Sequence, residues 1–195
     1  MKIKILSLFL LIASITYSQN LEQLKIDSEK IYEATYNLDF ETVLNYSHPK
    51  LFETISREQM IIVLEQFHEN ALMRARLVYP KVNFSFSELQ IIDGKTYCVI
   101  RYNNAMRTTF EKQLSPKDVE SMKKGMQSVK ENTKVTYEKS RNSFLVESKA
   151  NLVAIADATS NNEWKFVNCS TPLAHLAKII LGDDVIAKLG LQLAN

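Results

Sequence analysis

The hydrophobic period of this chain changes at Pro80, and that change limits it to a fold in which helices come first and strands follow. Before Pro80 the apolar residues recur at helical spacing. Leu24, Ile31 and Tyr32 share one face of a segment from Leu21 to Tyr36, and Asp39 is placed to cap a short second helix carrying Phe40, Val43 and Leu44. Ser47-His48-Pro49 stops that helix, because the residue before a proline is pushed out of the helical region. Pro49 can open a further turn containing Leu51 and Phe52. Ser56 with Gln59 three residues on fits a capping box, which starts a long helix with Met60, Ile61, Val63, Leu64 and Phe67 on a broad apolar face.

After Pro80 the period is two. Val82, Phe84 and Phe86 alternate with polar residues, Asp93-Gly94 signals a tight hairpin, and a strand is expected from about Thr96 to Phe110. Its even positions (Cys98, Ile100, Tyr102, Met106, Phe110) form an apolar face, while odd positions such as Arg101, Asn103, Arg107 and Thr109 suit water. Ser115-Pro116 begins an inserted helix with Val119, Met122, Met126 and Val129 on one side. Val135–Tyr137 and Ser143–Val146 flank a polar turn, Leu152–Ala156 reads as a buried strand, and Glu163–Cys169 follows. Pro172 opens a final helix, and a short amphipathic end comes after Gly182. The fold class expected is α+β: N-terminal helices on an antiparallel sheet, with an inserted helix and a C-terminal helix.

The first residues read as an address. Met1-Lys2-Ile3-Lys4 is a basic head, Ile5 to Ile15 is apolar except for Ser7 and Ser14, and Thr16-Tyr17-Ser18 offers small residues to a signal peptidase. The apolar run falls short of the ~20 residues a spanning helix needs. A signal peptide over 1–18 and a domain over 19–195, with a helical extension at 172–195, are expected, and export to the periplasm or the extracellular space follows. No later stretch is long enough to span a membrane. Without the first 18 residues and their two lysines, 22 basic residues face 22 acidic ones, so bulk charge gives no reason to expect nucleic-acid binding. Four scattered glycines make no phosphate-cradling loop. In an oxidising compartment Cys98 and Cys169 could pair; the alternative is two buried thiols in strands, and the sequence leaves both open.

Several segments together resemble a known superfamily: Asn37-Leu38-Asp39-Phe40-Glu41, Tyr46-Ser47-His48-Pro49, Ser56 to Leu64, Asp93-Gly94-Lys95 with Ile100 to Asn104, and Asn162-Glu163-Trp164-Lys165-Phe166. The chain resembles the nuclear transport factor 2-like (cystatin-like cone) superfamily, and most closely its exported bacterial members of unassigned function. That resemblance implies a strongly curved, cone-shaped sheet with a pocket at its wide end. Relatives use such a pocket as an enzyme site, as in ketosteroid isomerase and polyketide cyclases, as a ligand site, or as an interaction surface. Many self-associate sheet to sheet, which leaves a homodimer open. The isomerase uses an aspartate base and an oxyanion hole of a tyrosine and a protonated aspartate. Here the helix position that should offer the phenol carries Ile31, with Tyr32 one step round, and Pro49–Glu53 offers Glu53 but no aspartate. The mechanism does not transfer.

The residues themselves give weak catalytic candidates: His48, Glu53 and Asp157. A free imidazole titrates near neutral pH, which makes His48 a candidate for acid–base work, but the sequence supplies it no partner, so capping or flanking the Pro49 turn is the favoured role. Asp157 ends a strand and either enters the pocket or marks the turn. His68 lacks the second histidine of a zinc helix and is expected at the surface; His175 has no ligand-spaced partner, so no metal or other cofactor is expected. Tyr102, Met106, Trp164 and Phe166 could line an apolar ligand pocket, against the plainer alternative of core packing. The expectation is an exported, non-catalytic module binding a small hydrophobic ligand or an envelope protein at the mouth of the cone or on the exposed sheet face. The alternatives are an envelope enzyme of the isomerase or cyclase type, or a structural component docking through its C-terminal helix.

Overall fold

A computed structural model describes residues 21–128, 133–170 and 174–193. The signal segment expected over 1–18 lies outside them, as do Val129 and Pro172. Helix α1 occupies 21–36, α2 Phe40–Tyr46 and α3 Arg57–His68, with a 3-10 turn at Pro49–Glu53 between the last two. The expected caps form. The Asp39 carboxylate accepts from the Thr42 amide at 3.1 Å, and Ser56 and Gln59 exchange the two bonds of a capping box.

The strands are β1 (Met73–Leu77), β2 (Ser85–Phe86), β3 (Gln90–Ile92), β4 (Lys95–Phe110), β5 (Lys134–Glu138), β6 (Ser143–Ala156) and β7 (Lys165–Asn168). They form one antiparallel, seven-stranded sheet that does not close into a barrel. Its spine is the β4–β6 pair, in register from Thr96 opposite Ala156 to Thr109 opposite Ser143. β1, β2 and β3 line the other edge of β4, while β5 and β7 line the other edge of β6. The β3–β4 hairpin is closed by Asp93 and Gly94, both left-handed at φ 52° and 76°, as a two-residue loop of this twist requires. Helix α4 (Pro116–Ser128) is inserted between β4 and β5, and α5 (Ala174–Leu181) and α6 (Asp183–Lys188) follow the sheet. The fold is α+β. Among the described residues, no helix is long and apolar enough to cross a membrane.

Four details differ from the sequence expectation, each for a local reason. The strands begin at Met73, ahead of Pro80: Met73-Arg74-Ala75-Arg76-Leu77 alternates and pairs with the end of β4. Of the Val82–Phe86 segment only Ser85 and Phe86 pair with β4. Ser143–Val146 and Leu152–Ala156 are one strand, because the polar run Glu147-Ser148-Lys149 keeps the alternation, and Glu147 meets Lys134 of β5 at 2.9 Å. The odd face of β4 is wet only in part: Tyr97 and Val99 are buried.

Two buried clusters explain this. Leu24 and Ile31 of α1 pack with Cys98, Ile100, Leu152, Ala154 and Phe166, residues of one sheet face. Tyr97, Val99, Val153, Ile155 and Val167, on the opposite face, share a cluster with Ala177, Ile180 and Leu181 of α5, and with Leu189 and Leu191. The chain after Phe166 therefore covers a surface that a minimal helices-on-sheet arrangement would leave to water. Cys98 lies in the first cluster and Cys169 in the second, and they are not disulfide-bonded; the pairing considered from the sequence does not form because the two buried thiols belong to different cores.

Candidate functional site

Where the even face of β4 and β6 runs past the first cluster, the helices stand off and leave a cavity of about 460 Å³. That falls within the ~300–1,000 Å³ typical of small-molecule pockets. Its floor is the alternating row Tyr102, Asn104, Met106 and Thr108 of β4 with Val146, Ser148, Ala150 and Leu152 of β6. Its roof comes from the three N-terminal helices: Ile31, Tyr32 and Thr35 of α1, Phe40, Val43 and Leu44 of α2, and Met60, Val63, Leu64 and Phe67 of α3. Met126 of α4 adds to the wall, as do Leu51, Val167 and, from α5, Leu176, Ala177 and Ile180, which belong to the second cluster or pack against it, and the exposed Lys149 and His175 also line it. The same helical period that marked the helices as amphipathic thus supplies the apolar roof.

Polar groups are a minority of the wall, and several of them are committed to partners within the chain. The Tyr32 hydroxyl donates to the Tyr79 carbonyl at 2.8 Å, and burial pushes its pKa up to about 12. Tyr102 packs edge-on against Tyr32 and Phe84, and burial raises its phenol further, so both phenols stay protonated at neutral pH. His68, at the end of α3, is buried against Phe40 and Phe67, contrary to the surface position expected, because β1 returns across it. Its Nδ1 lies 3.1 Å from the Ala75 carbonyl, which requires a proton on that nitrogen and leaves Nε2 as the lone-pair nitrogen of the neutral ring. Burial and, to a lesser degree, Arg76 hold its pKa below the ordinary value, opposed by the Ala75 bond. Asn104 differs from these: its Oδ1 is buried without a hydrogen-bond partner among the described residues. No Asp or Glu lines the cavity among the described residues.

The sequence candidates fall in different places. Tyr102, Met106 and Phe166 line the cavity. Trp164 does not; it is buried in the α1 cluster and borders a separate shallow cleft with Asp27 and Tyr46. Glu53 is exposed at the end of its 3-10 turn. His48 and Asp157 find each other: Nε2 and Oδ2 are 3.3 Å apart, both side chains are buried, and Lys95 reaches the same oxygen at 3.1 Å. The Lys50 amide donates to His48 Nδ1, so the proton sits on Nε2 and points at the carboxylate. Burial drives the His48 pKa down, against the pull of Asp157. Burial would raise Asp157, but hydrogen bonds from Thr159, Lys95 and His48 outweigh it and hold the carboxyl well below the usual range. Its other oxygen caps the turn at Ala158–Ser160. Every position on this dyad is occupied, and neither residue lines the cavity, so it works as a clasp between the Pro49 turn and the end of β6.

Among the cavity residues, the sequence reading assigned no role to Asn104 and placed His68 at the surface. Asn104 had a visible signal: it interrupts the apolar even row between Tyr102 and Met106. His68 had none, because the strand that buries it was not expected. Comparison with protein-family models, with curated proteins and with solved structures gives no match for this chain.

Proposed function

We propose that this chain is an exported, non-catalytic module that holds a small hydrophobic ligand between its N-terminal helices and the sheet. The observation that carries the reading is the cavity itself, whose wall is mainly aliphatic and aromatic with polar groups in the minority. Membership of the nuclear transport factor 2-like superfamily is part of the proposal, supported by the order of helices and antiparallel strands. Export rests on the basic head, apolar run and small-residue exit of residues 1–18. An enzyme of the isomerase or cyclase type would have to place its base in the cavity. His48, Glu53 and Asp157 stand elsewhere, and His68 has no carboxylate beside it in the wall, so the binding reading is preferred.

The test is expression of the full chain in a bacterium, with recovery from the periplasm and titration with the uncharged dye N-phenyl-1-naphthylamine. The expected product begins at Gln19, and binds the dye in a way that Ala150→Phe, which fills the floor, abolishes. Retention of residues 1–18 in the cytoplasm would overturn export. Undiminished dye binding by a folded Ala150→Phe protein would overturn the cavity as the site.

A further inference from the structure

His68 marks the place where α3, α2 and β1 meet on the cavity wall. The residue is 4% exposed, and its ring packs against those of Phe40 and Phe67, with centroids 5.3 Å and 5.1 Å away. Below it Ala75 pairs with Thr108 and Leu77 with Met106, and Leu77, Thr108 and Met106 line the same cavity. The two ring nitrogens differ. Nδ1 carries the proton, because it faces the Ala75 carbonyl at 3.1 Å. Nε2 keeps a lone pair and has no hydrogen-bond partner among the described residues. Nor is it sealed away: among those residues Asn104 Oδ1 is the one side-chain oxygen or nitrogen that is both fully enclosed and unpartnered. Buried acceptors are nearly always paired, and leaving one unpaired is costly. An acceptor that is unpaired but accessible, on the wall of a ligand-sized cavity, is placed to meet whatever fills that cavity.

We infer that His68 Nε2 is the acceptor that orients the ligand, and that the ligand is a hydrophobic molecule bearing a hydrogen-bond donor, such as the hydroxyl of an alcohol or phenol. This rests on the cavity being the binding site. The preference for a donor follows from the tautomer. With its one proton held by Ala75, the neutral ring accepts at Nε2 and donates nothing there. A hydroxyl brings the proton this nitrogen lacks, whereas a ketone or ether oxygen sets its own lone pairs against that of Nε2. Burial, the largest influence on the ring, keeps it neutral. The Ala75 bond and the two flanking phenyl rings hold its plane, so little ordering remains to be done when a ligand binds. The roof as a whole is short of donors. The wall hydroxyls of Tyr32, Thr35 and Ser47 also commit their protons within the chain, to the carbonyls of Tyr79, Ile31 and Val43. What they have left, like His68, is lone pairs.

The experiment compares 2-decanol with 2-decanone, which share a carbon skeleton and differ in the donor, on the wild-type chain and on His68→Phe, each by displacement of the bound dye. The expected result is that the ratio of alcohol to ketone affinity falls about fivefold in His68→Phe, the loss of one ordinary hydrogen bond. Ketone affinity should be kept or improved. An unchanged ratio would overturn the inference while leaving the binding reading intact; failure of the wild type to bind either compound would overturn the binding reading instead. Should His68→Phe fail to fold, the wild type decides alone. The nitrogen-15 resonance of its His68 Nε2 should move upfield with 2-decanol and hold its place with 2-decanone. Equal movement with both, or none with either while both displace the dye, would refute the assignment.

Discussion

At the scale of single residues, burial decides the protonation of both inward histidines. His48 is enclosed with Asp157, Lys95 and Lys50 around it, and His68 with Arg76 and the Ala75 carbonyl; burial is the largest influence on each and lowers both below the ordinary 6.5. The unfolded imidazoles take up protons as pH falls through that value, and the folded ones resist. Stability is therefore complete above about pH 6.5 and is lost as pH drops below it towards the folded values. Asp157 acts in the same direction but at lower pH, keeping its contribution until pH falls below its ordinary 3.8. The melting temperature should thus decline between pH 7.5 and pH 5.5. In His68→Gln, which removes one of the two titrations, the decline should be smaller. A wild-type melting temperature that is flat or rising over this interval would show that the two rings are solvated and protonated in the native state.

At the scale of elements, the inserted helix α4 is the least anchored part of the cavity wall. None of its residues is buried, and it presents Val119, Met122 and Met126 half-buried on one side. Gly125 sits within it, and a methyl group added there meets nothing within 4 Å. Gly125→Ala should stabilise the helix by about 0.5–1 kcal/mol, because glycine loses more backbone freedom on folding than alanine. Slower hydrogen exchange of the α4 amides would register that gain, and unchanged or faster exchange would contradict it. Such elements were legible in the sequence because their signals are local: the Ser115-Pro116 start, the Asp93-Gly94 turn and the Ser56–Gln59 box each act within a few residues. What could not be read was non-local. β1 is short and carries two arginines, and it exists because the end of β4 pairs with it. The middle of β6 looks polar until the ladder on both sides is known. For the same reason Asp157 could be placed at a strand end, but not beside His48, more than a hundred positions away in sequence. The cavity residues on β4 were visible as an even-position row, whereas Trp164 could not be told from them without knowing that α1 covers it.

At the scale of the whole molecule, two separate clusters of buried residues pack on the sheet, and the cavity is lined from both, by Ile31 and Leu152 of the first and by Leu44, Met60 and Ala177 of the second. The separation bears on redox state. Cys98 and Cys169 belong to different clusters, so the chain should yield two alkylated thiols when denatured without reductant, even after recovery from an oxidising compartment; a mass showing neither thiol modified would mean the pairing had formed. The standing-off of α1, α2 and α3 from the far half of the floor is what creates the space between them. A well-packed protein retains few voids larger than a water molecule, so a cavity of about 460 Å³ has to be explained by an occupant or a function. Soaking crystals of the protein with 1-bromododecane and locating the bromine by its anomalous scattering tests this most directly. The account predicts a bromine peak inside the cavity, between the β4–β6 floor and the helices above it. A cavity empty of ligand, with bromine absent or found only on the outer surface, would contradict it.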